Sequence, residues 1–350
     1  MPNETVTTSG NVRPKFQFGR WLPIVAMGLL IVVLGAYTHS EDSSFLSTYN
    51  LNGVMIATLP LALAAMGQTS ALMVKAFDVS VGALMTLCLV VASFVLGPDE
   101  SWPSLLLGVL LVIAIALGVG LVNVILIRFL KLSSIIATLA TYSALQGVCL
   151  WLRPIAEGPI SFDFVDKVLY AWGFMPIALL VLAAIAALAD FWLYRTSGGL
   201  AARAMGLDEE AAARRGVRVS YLFIRAFFIT AFAAALGGLF LAAQVQVGDP
   251  NAGFSFTLTS IAAAVLGGAS LLGGRGSFIG AVVGALFLNV IINILPYLGW
   301  SASYGQIAVG LLTLVALSFY QAPELIRRAK TSIANFRLTR GRSGVLAEEA

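Results

Sequence analysis

The sequence predicts an all-α polytopic membrane protein, and three observations support this class. Hydrophobic residues make up 59% of the chain and charged residues 11%, with a mean hydropathy of +0.93, whereas a soluble domain carries about 25% charged residues. Apolar runs of the ~20 residues needed to cross a bilayer recur between residues 21 and 320. Basic residues gather in alternate connections between these runs. Little of the chain is left for a large soluble catalytic domain.

About ten transmembrane helices follow from the hydropathy of the chain. They cover residues 21–38, 53–74, 79–96, 104–127, 133–152, 174–193, 221–243, 258–272, 277–295 and 303–320. The segment LTSIAAAVLGGASLL, at 258–272, is the shortest and also fits a re-entrant or broken helix. Ten crossings are retained because removing this one would place the basic C-terminal tail outside.

The distribution of Lys and Arg sets the orientation. With a cytoplasmic N-terminus, 19 of the 21 basic residues lie inside, and only Arg153 and Lys167 lie outside. Both termini are therefore expected in the cytoplasm. The expected organisation is an N-terminal tail at 1–20, a single transmembrane domain at 21–320 with a long inside loop at 195–220, and a C-terminal tail at 321–350.

The sequence lacks the side chains that most membrane enzymes require. His39 is the only histidine, and Cys88 and Cys149 both lie inside apolar runs, so neither hydrolase chemistry nor a metal site is expected. The glycine-rich stretch at 267–278 lacks the Lys-Ser/Thr pair of a nucleotide-binding loop. We expect a protein that is not an enzyme and that binds no cofactor; any nucleotide must bind another subunit. Nothing indicates a nucleic-acid partner.

The long inside loop contains a predicted short helix. Asp208 is placed to cap it, Glu209 and Glu210 lie at its positive N-terminal end, Arg214 lies one turn after Glu210, and Gly216 is placed to end it. A helix of about two turns is not stable by propensity alone, so it must dock. The residues of the loop are equally consistent with docking on its own chain and with docking on a partner protein.

Three glycines in GSFIGAVVG recur at four-residue spacing. Gly276, Gly280 and Gly284 are predicted to share one helix face, where small residues let a neighbouring backbone approach in lipid. Ordinary helix packing is favoured over a moving gate because such faces are common in membrane bundles.

A charged stretch, VKAFDVSVGALM, separates two apolar runs. Asp78, with Ser80 and Gly82, is predicted to start a helix after a break, while the ammonium of Lys75 reaches the cytoplasmic interface. An ionisable group in a membrane segment is a functional candidate, so solute contact stays open for Asp78. Its position near the interface favours the role of cap or hinge.

Polar side chains inside the spans are candidates for the transport pathway. Besides Asp78 and Ser80 they are Gln68, Thr69, Asn123, Thr138, Thr141, Tyr142, Gln146, Asn289 and Asn293. Each one is more simply explained as a hydrogen bond between helices, but the set is expected to include some pore lining. Because no aromatic cage or acid cluster accompanies them, the pore suits a neutral polar solute that is held weakly.

Four blocks in fixed order resemble a known family. FDVSVGALM, IIATLATYSALQGVCLWL, SGGLAARAMGLDEEAAARRGV and TSIAAAVLGGASLLGGRGSFIGAVVGAL are similar to the permease subunit of ribose-type bacterial ABC importers, within the sugar and branched-chain amino-acid permease family. The resemblance covers residues 50–320. It departs where the family commonly has Gly-Gly-Ile before Asp78, because Lys75, Ala76 and Phe77 stand there.

The resemblance implies a type II importer fold in the bacterial inner membrane, with a second copy of the permease or a homologous permease completing the pore. It also implies two cytoplasmic ATPase domains that carry ATP and Mg, and an external solute-binding protein. The short helix of the inside loop would couple the ATPase to the membrane domain. The candidate coupling residues are Gly206, Asp208, Glu209, Glu210, Ala211, Ala212, Arg214 and Gly216.

The function implied is import of a monosaccharide or related polyol. Two alternatives remain open at the level of sequence. A branched-chain amino-acid or nucleoside importer would share the coupling loop. A secondary transporter would instead need Asp78 or Asp190 to couple ion movement.

Overall fold

The structure, a computed structural model, describes residues 18–98, 100–301, 303–312 and 314, with the side chains of 18–20 excepted. The helices, in chain order, are α1 (Phe18–Glu41), α2 (Thr48–Met73), α3 (Val81–Val95), α4 (Trp102–Val124), α5 (Ser134–Leu152), α6 (Phe162–Val168), α7 (Ile177–Arg195), α8 (Ser197–Leu207), α9 (Glu209–Arg214), α10 (Val219–Val245), α11 (Phe254–Leu266) and α12 (Phe278–Tyr297). A 3-10 turn (Ser43–Leu46) precedes α2, and a π-helical turn (Ile125–Phe129) extends α4.

Two short strand pairs accompany the helices. β1 (Glu157–Pro159) pairs antiparallel with β4 (Val247–Gly248), and β2 (Ala171–Trp172) pairs antiparallel with β3 (Met175–Pro176). The pairing of β1 with β4 joins the connection after α5 to the end of α10. β1, β2, β4 and α6 lie in connections for which the sequence predicted no regular structure, whereas β3 occupies the first residues of the predicted span 174–193.

Seven helices in the described part are long and apolar enough to cross a membrane: α1, α2, α4 with its π-helical turn, α5, α7, α10 and α12. The predicted spans 79–96 and 258–272 correspond to α3 and α11, which have 15 and 13 residues. At 1.5 Å per residue they extend about 22 and 20 Å, less than the ~30 Å hydrocarbon core. The multi-pass helical class is confirmed, while ten crossings and cytoplasmic termini stay predictions.

The ends of the chain lie largely outside the described residues. The tenth predicted span, 303–320, is helical over 303–312, and most of its remainder falls outside the described part. The predicted C-terminal tail at 321–350 also lies outside it, as does the N-terminal tail at 1–20 apart from the first turn of α1.

The core is built around α2 and α10, whose residues are mostly buried. Their backbones approach closely at Gly67, where an added Cβ would lie 3.3 Å from the Thr230 backbone. The Thr230 hydroxyl donates to the Gly67 carbonyl at 2.8 Å. A small residue opposite a hydroxyl is a typical way for membrane helices to associate, since lipid supplies no hydrophobic drive between them.

The glycine face of α12 packs on α11. A Cβ added to Gly280 would lie 1.8 Å from the Gly267 carbonyl oxygen, and one added to Gly284 would lie 2.3 Å from that of Ala263. Gly276 does not share this face, contrary to the prediction, because α12 begins only at Phe278. The Ser277 hydroxyl accepts from the Gly280 amide at 3.0 Å and so caps the helix, which starts two residues after Gly276.

Candidate functional site

Two non-helical segments meet at one end of the core. We call residues 74–80, between α2 and α3, the first break, and residues 267–277, between α11 and α12, the second break. The Gly274 amide donates to the Met73 carbonyl at 3.0 Å, and a Cβ on Gly273 would lie 3.1 Å from that of Lys75. Because of these close contacts, a displacement of one break is expected to move the other.

Asp78 organises the first break. It is buried, and its Oδ1 accepts from the Ser80 amide at 3.0 Å and from the Ser80 hydroxyl at 2.5 Å. The carboxylate thus binds the amide directly before α3 instead of an amide within its first turn, and the Ser80 side chain makes no capping bond. Asp78 serves as the turn residue that starts α3.

A hydrogen-bonded network extends from Ser80 to α4 and α5. The Asn123 amide group donates to the Ser80 hydroxyl at 2.9 Å, and the Thr141 hydroxyl donates to Asn123 Oδ1 at 2.7 Å. Thr138 Oγ1 accepts from the Val79 amide at 3.0 Å. Asn123 of α4 and two threonines of α5, all distant in sequence from the first break, therefore hold it against these two helices.

Gln68 joins this network from α2 and leaves one atom without a partner. Its Nε2 donates to the Asp78 carbonyl at 2.5 Å, whereas its buried Oε1 has no hydrogen-bond partner among the described residues. The same holds for Thr257 Oγ1 and Gln146 Oε1. Thr257 lies against the start of α3, since a Cβ on Gly82 would lie 2.2 Å from its hydroxyl.

The structure thus gathers six of the candidate pathway residues into one network: Gln68, Asp78, Ser80, Asn123, Thr138 and Thr141. The others lie outside it. The Thr69 hydroxyl bonds to the carbonyl of Ala65 within its own helix, and the ring of Tyr142 packs 5.9 Å from that of Phe254.

The two asparagines of α12 bind α2. Asn289 donates to the Ala57 carbonyl at 3.2 Å. Asn293 and Asn50 exchange two amide hydrogen bonds, at 3.1 and 2.9 Å. Such hydrogen bonds across helices stabilise the bundle.

Asp190, in α7, fixes the end of the second break. It is buried; its Oδ2 accepts from the Ser277 hydroxyl at 2.6 Å and its Oδ1 from the Phe278 amide at 2.7 Å. One turn further along α7, the Tyr194 hydroxyl donates to the Gly276 carbonyl at 2.7 Å. The sequence indicated Asp190 only as a possible ion-coupling acid. In the structure its carboxylate binds the N-terminus of α12.

The inside loop forms two helices where one was predicted. α9 has the predicted local features: Asp208 Oδ1 accepts from the Ala211 amide at 2.9 Å, Glu210 pairs with Arg214 at 3.1 Å, and Gly216 ends it with φ +83°. α8 was missed. Its capping residue Thr196 was a readable signal, but Gly198 and Gly199 in its first turn obscured it, since glycine disfavours helix.

Gly206 of α8 is the contact between the loop, the end of α2 and the second break. A Cβ at this position would lie 1.9 Å from the Met73 carbonyl oxygen and 2.3 Å from the Gly274 amide nitrogen. Only glycine allows this approach of three backbones. Sequence reasoning identified Gly206 but neither of its two partners.

Arg128 forms a second link between the inside loop and the membrane helices, and the sequence did not indicate it. It lies in the π-helical turn after α4, and its Nη1 lies 2.8 Å from Glu209 Oε1 at the start of α9. The same guanidinium stands 4.8 Å over the ring of Phe223 in α10, which stacks on Phe227.

α9 has one docked and one open face. Ala212 is buried, whereas the side chains of Glu210 and Arg214 are 84% and 79% exposed. Leu207, the last residue of α8 and two positions before the start of α9, is a large exposed apolar side chain. The loop therefore docks on its own chain through one face and leaves a mixed charged and apolar face free for another surface.

Comparison with known proteins decides the class. Residues 50–317 match the family described as "Branched-chain amino acid transport system / permease component". The chain belongs to this family. The matched range agrees with the stretch over which the sequence resembles ABC-importer permeases, so the resemblance is confirmed.

Named relatives of this permease are import proteins. The ribose import permease protein RbsC of Haemophilus influenzae is 30% identical, over 88% of this chain and 96% of that protein. The autoinducer 2 import system permease proteins LsrC of Salmonella paratyphi B and Escherichia coli O9:H4 are 32% and 33% identical, each over 83% of this chain and 84% of the relative. No solved structure gives a significant match.

The family and the apolar helices together define the location of the permease and its role as a subunit. The permease is a multi-pass inner-membrane protein and a transport subunit of an ABC importer, which in general works with an ATPase and a solute-binding protein. Among the residues that the structure describes, no three His, Cys, Asp or Glu side chains are grouped so that they could hold a metal ion.

Proposed function

We propose that this permease translocates a monosaccharide or related polyol, delivered by an external solute-binding protein and driven by two cytoplasmic ATPase domains that bind ATP and Mg. Two copies of the permease, or one copy and a homologous permease, complete the pore. The names of the relatives that import ribose and autoinducer 2 support the solute class. So does the network at the first break, whose hydroxyl and amide groups suit a neutral polyhydroxy solute.

The observation that carries the proposed coupling to the ATPase is the backbone contact of Gly206 with the end of α2 and with the second break. The atoms in contact belong to the main chain, so no side chain can change rotamer to accommodate a displacement of α8 and α9. Such a displacement therefore moves the Met73 end of α2 together with the second break before α12. Packed elements of this kind shift between discrete arrangements instead of deforming continuously.

The open face of α9 is the proposed surface for the ATPase. Glu210 and Arg214 offer exposed charges, and Leu207 adds an apolar contact, the mixture found in protein interfaces. Glu209 belongs to a different surface because it is paired with Arg128 of the same chain. Within the candidate coupling residues, we propose Glu210 and Arg214 as contacts with the ATPase, and Gly206 and Glu209 as the link to the membrane helices.

Three buried oxygens are the proposed contacts for the solute in passage: Gln68 Oε1, Gln146 Oε1 and Thr257 Oγ1, none of which has a hydrogen-bond partner among the described residues. A solute hydroxyl can satisfy each of them, and a buried polar atom without a partner is costly. Few such contacts give the weak binding that a pathway needs for release.

Asp78 and Asp190 do not favour the ion-coupled alternative. Both carboxylates are engaged at the start of a helix, Asp78 through Ser80 and Asp190 through Ser277 and Phe278. An amino-acid solute would require charged partners for its ammonium and carboxylate, whereas the network side chains other than Asp78 are neutral.

Co-purification tests the proposed partner surface. The permease is extracted from native membranes in mild detergent, and bound ATPase is quantified by mass spectrometry for the wild type and for Glu210→Lys/Arg214→Glu. We expect the variant to lose the ATPase. Asp163→Lys is the matched control, since Asp163 is an exposed acidic residue of α6, far from the loop in sequence.

Uptake in proteoliposomes tests the energy source and the solute. Reconstituted complex with its binding protein should import a labelled monosaccharide or polyol only when ATP is supplied. A correctly folded wild-type permease that retains no ATPase, or that imports the solute on an ion gradient alone, would exclude the proposed function.

A further inference from the structure

Two cavities of similar size flank the short helix α6. One, of about 500 Å³, lies between α6, α7, α10 and α2. The other, of about 480 Å³, lies between α6 and the start of α4. Lys167 and Val168, at the end of α6, line both cavities. The two cavities therefore form a pair that shares one basic residue at its rim.

The walls of both cavities are almost wholly apolar. The first follows α7 from Ile177 to Ile185, and the second follows α4 from Trp102 to Val109. At 1.5 Å per residue these walls are about 12 and 10 Å long, most of the ~15 Å hydrocarbon half of one leaflet. α4 and α7 are both long and apolar enough to cross a membrane, and both start beside α6, so each groove extends from α6 along a candidate membrane-spanning helix.

The rim carries the residues of a membrane interface. The ammonium of Lys167 stands 3.3 Å from the centre of the Trp102 ring, and Tyr170 lines the larger groove. Trp and Tyr concentrate at the level of lipid headgroups. Asp166, next to Lys167, also lines the larger groove, so the rim presents an acid beside a base.

We infer that these grooves bind one phosphatidylethanolamine molecule, with α6 between its two acyl chains. The phosphate meets the Lys167 ammonium, and the primary ammonium of the headgroup meets the Asp166 carboxylate. Both are charge-assisted hydrogen bonds. Two grooves that share a single cation fit a lipid with two chains and one phosphate better than separate acyl chains.

Other occupants fit less well. A purely anionic headgroup such as phosphatidylglycerol would meet Lys167 but be repelled by Asp166, and a choline headgroup has no N–H to donate to the carboxylate. A second permease copy would need side chains that fill both narrow grooves and still satisfy the two rim charges.

The test measures retained lipid, which does not depend on transport. The permease is reconstituted in nanodiscs of equal phosphatidylethanolamine and phosphatidylglycerol, re-extracted in mild detergent, and analysed by native mass spectrometry. Wild type should retain one phosphatidylethanolamine per chain. Lys167→Gln should reduce this retention about ten-fold, as expected for loss of a charge-assisted hydrogen bond. Asp166→Asn should shift the preference towards phosphatidylglycerol.

Matched variants separate the site from general effects. Lys131→Gln and Asp163→Asn change the same residue types at exposed positions that line neither groove and should leave retention unchanged. Ala178→Trp fills the larger groove and should abolish retention while the thermal unfolding temperature stays near that of the wild type. Equal retention in Lys167→Gln and wild type would overturn the inference. So would a change from dimer to monomer in Ala178→Trp, which would assign the grooves to a contact between permease copies.

Discussion

Arg128 and Glu209 form an ion pair, with 2.8 Å between Nη1 and Oε1, that joins the end of α4 to the first residue of α9. The Arg128 side chain is 23% exposed and that of Glu209 53%, so solvent screens the pair only in part. Because the same guanidinium lies over Phe223, one side chain connects α4, α9 and α10.

Breaking this pair is expected to uncouple the importer without releasing the ATPase. Arg128→Gln and Glu209→Gln should each lower solute imported per ATP hydrolysed several-fold, whereas their direct effect on stability is only ~0.5 kcal/mol for a partly exposed pair. The reversed pair Arg128→Glu/Glu209→Arg should recover part of the ratio. Transport and ATP hydrolysis are measured together in proteoliposomes, and unchanged ratios in both single variants would contradict the role.

Gly206→Ala is expected to disrupt the junction. The new methyl group would lie 1.9 Å from the Met73 carbonyl oxygen, and neither this atom nor Gly274 N belongs to a side chain that can move away. We expect uptake to be lost and stability to fall by more than about 2 kcal/mol, as for overpacking. Gly118→Ala is the control, since nothing lies within 4 Å of its added Cβ. That change should be neutral or stabilise α4 by ~0.5–1 kcal/mol. Thermal unfolding in detergent distinguishes the two.

Lys75→Gly is expected to stabilise the permease. Lys75 adopts φ +62°, a left-handed conformation that costs a non-glycine residue ~1–2 kcal/mol, and glycine adopts it freely. Lys75→Ala removes the charge but keeps the Cβ, so it should not reproduce the gain. Unfolding temperatures of the two variants separate backbone strain from charge, and equal values would mean that strain at this position is negligible.

Asp190→Ala is expected to destabilise α12 without making uptake sensitive to ions. It leaves the buried Phe278 amide and Ser277 hydroxyl without an acceptor, a loss of ~1–3 kcal/mol for each unsatisfied group. Uptake per folded molecule should keep its dependence on ATP at every pH and sodium concentration tested. A new pH or sodium dependence in this variant would instead support ion coupling.

Thr257→Val is expected to separate solute contact from stability. The Thr257 hydroxyl has no partner among the described residues, so its isosteric replacement should leave the unfolding temperature equal or higher. If the hydroxyl contacts the solute, the rate of transport at low solute concentration should fall several-fold. Thr230→Val, which removes a hydroxyl bonded to Gly67, should lower stability instead. Loss of stability at Thr257 with normal transport would refute its role in the pathway.

Local features of the site were predictable from the sequence. The capping residue Asp208, the pair Glu210 and Arg214, and the terminating Gly216 act over a few residues, so their spacing alone defines α9. Membrane-spanning helices are likewise predictable because a bilayer imposes their length and apolarity.

The contacts that link these elements were not predictable. Gly206 meets Met73 and Gly274, and Arg128 meets Glu209, across long stretches of sequence that carry no periodic signal. The exclusion of Gly276 from α12 depends on the cap at Ser277, and the glycine spacing alone does not show where the helix begins. α6 and the strand pairs are too short to give a recognisable pattern.

The reciprocal amide pair of Asn50 and Asn293 has a mechanical consequence for the helices it joins. It clamps α2 to α12 near one end of each, whereas the Gly206 contact acts at Met73, 23 residues further along α2. At 1.5 Å per residue the clamp is a fulcrum with a lever arm of about 35 Å. A rotation of about 5° at the clamp therefore becomes a displacement of about 3 Å at the junction. In the proposed coupling, a displacement of about 3 Å at the Gly206 contact is therefore enough to tilt α2 by about 5°.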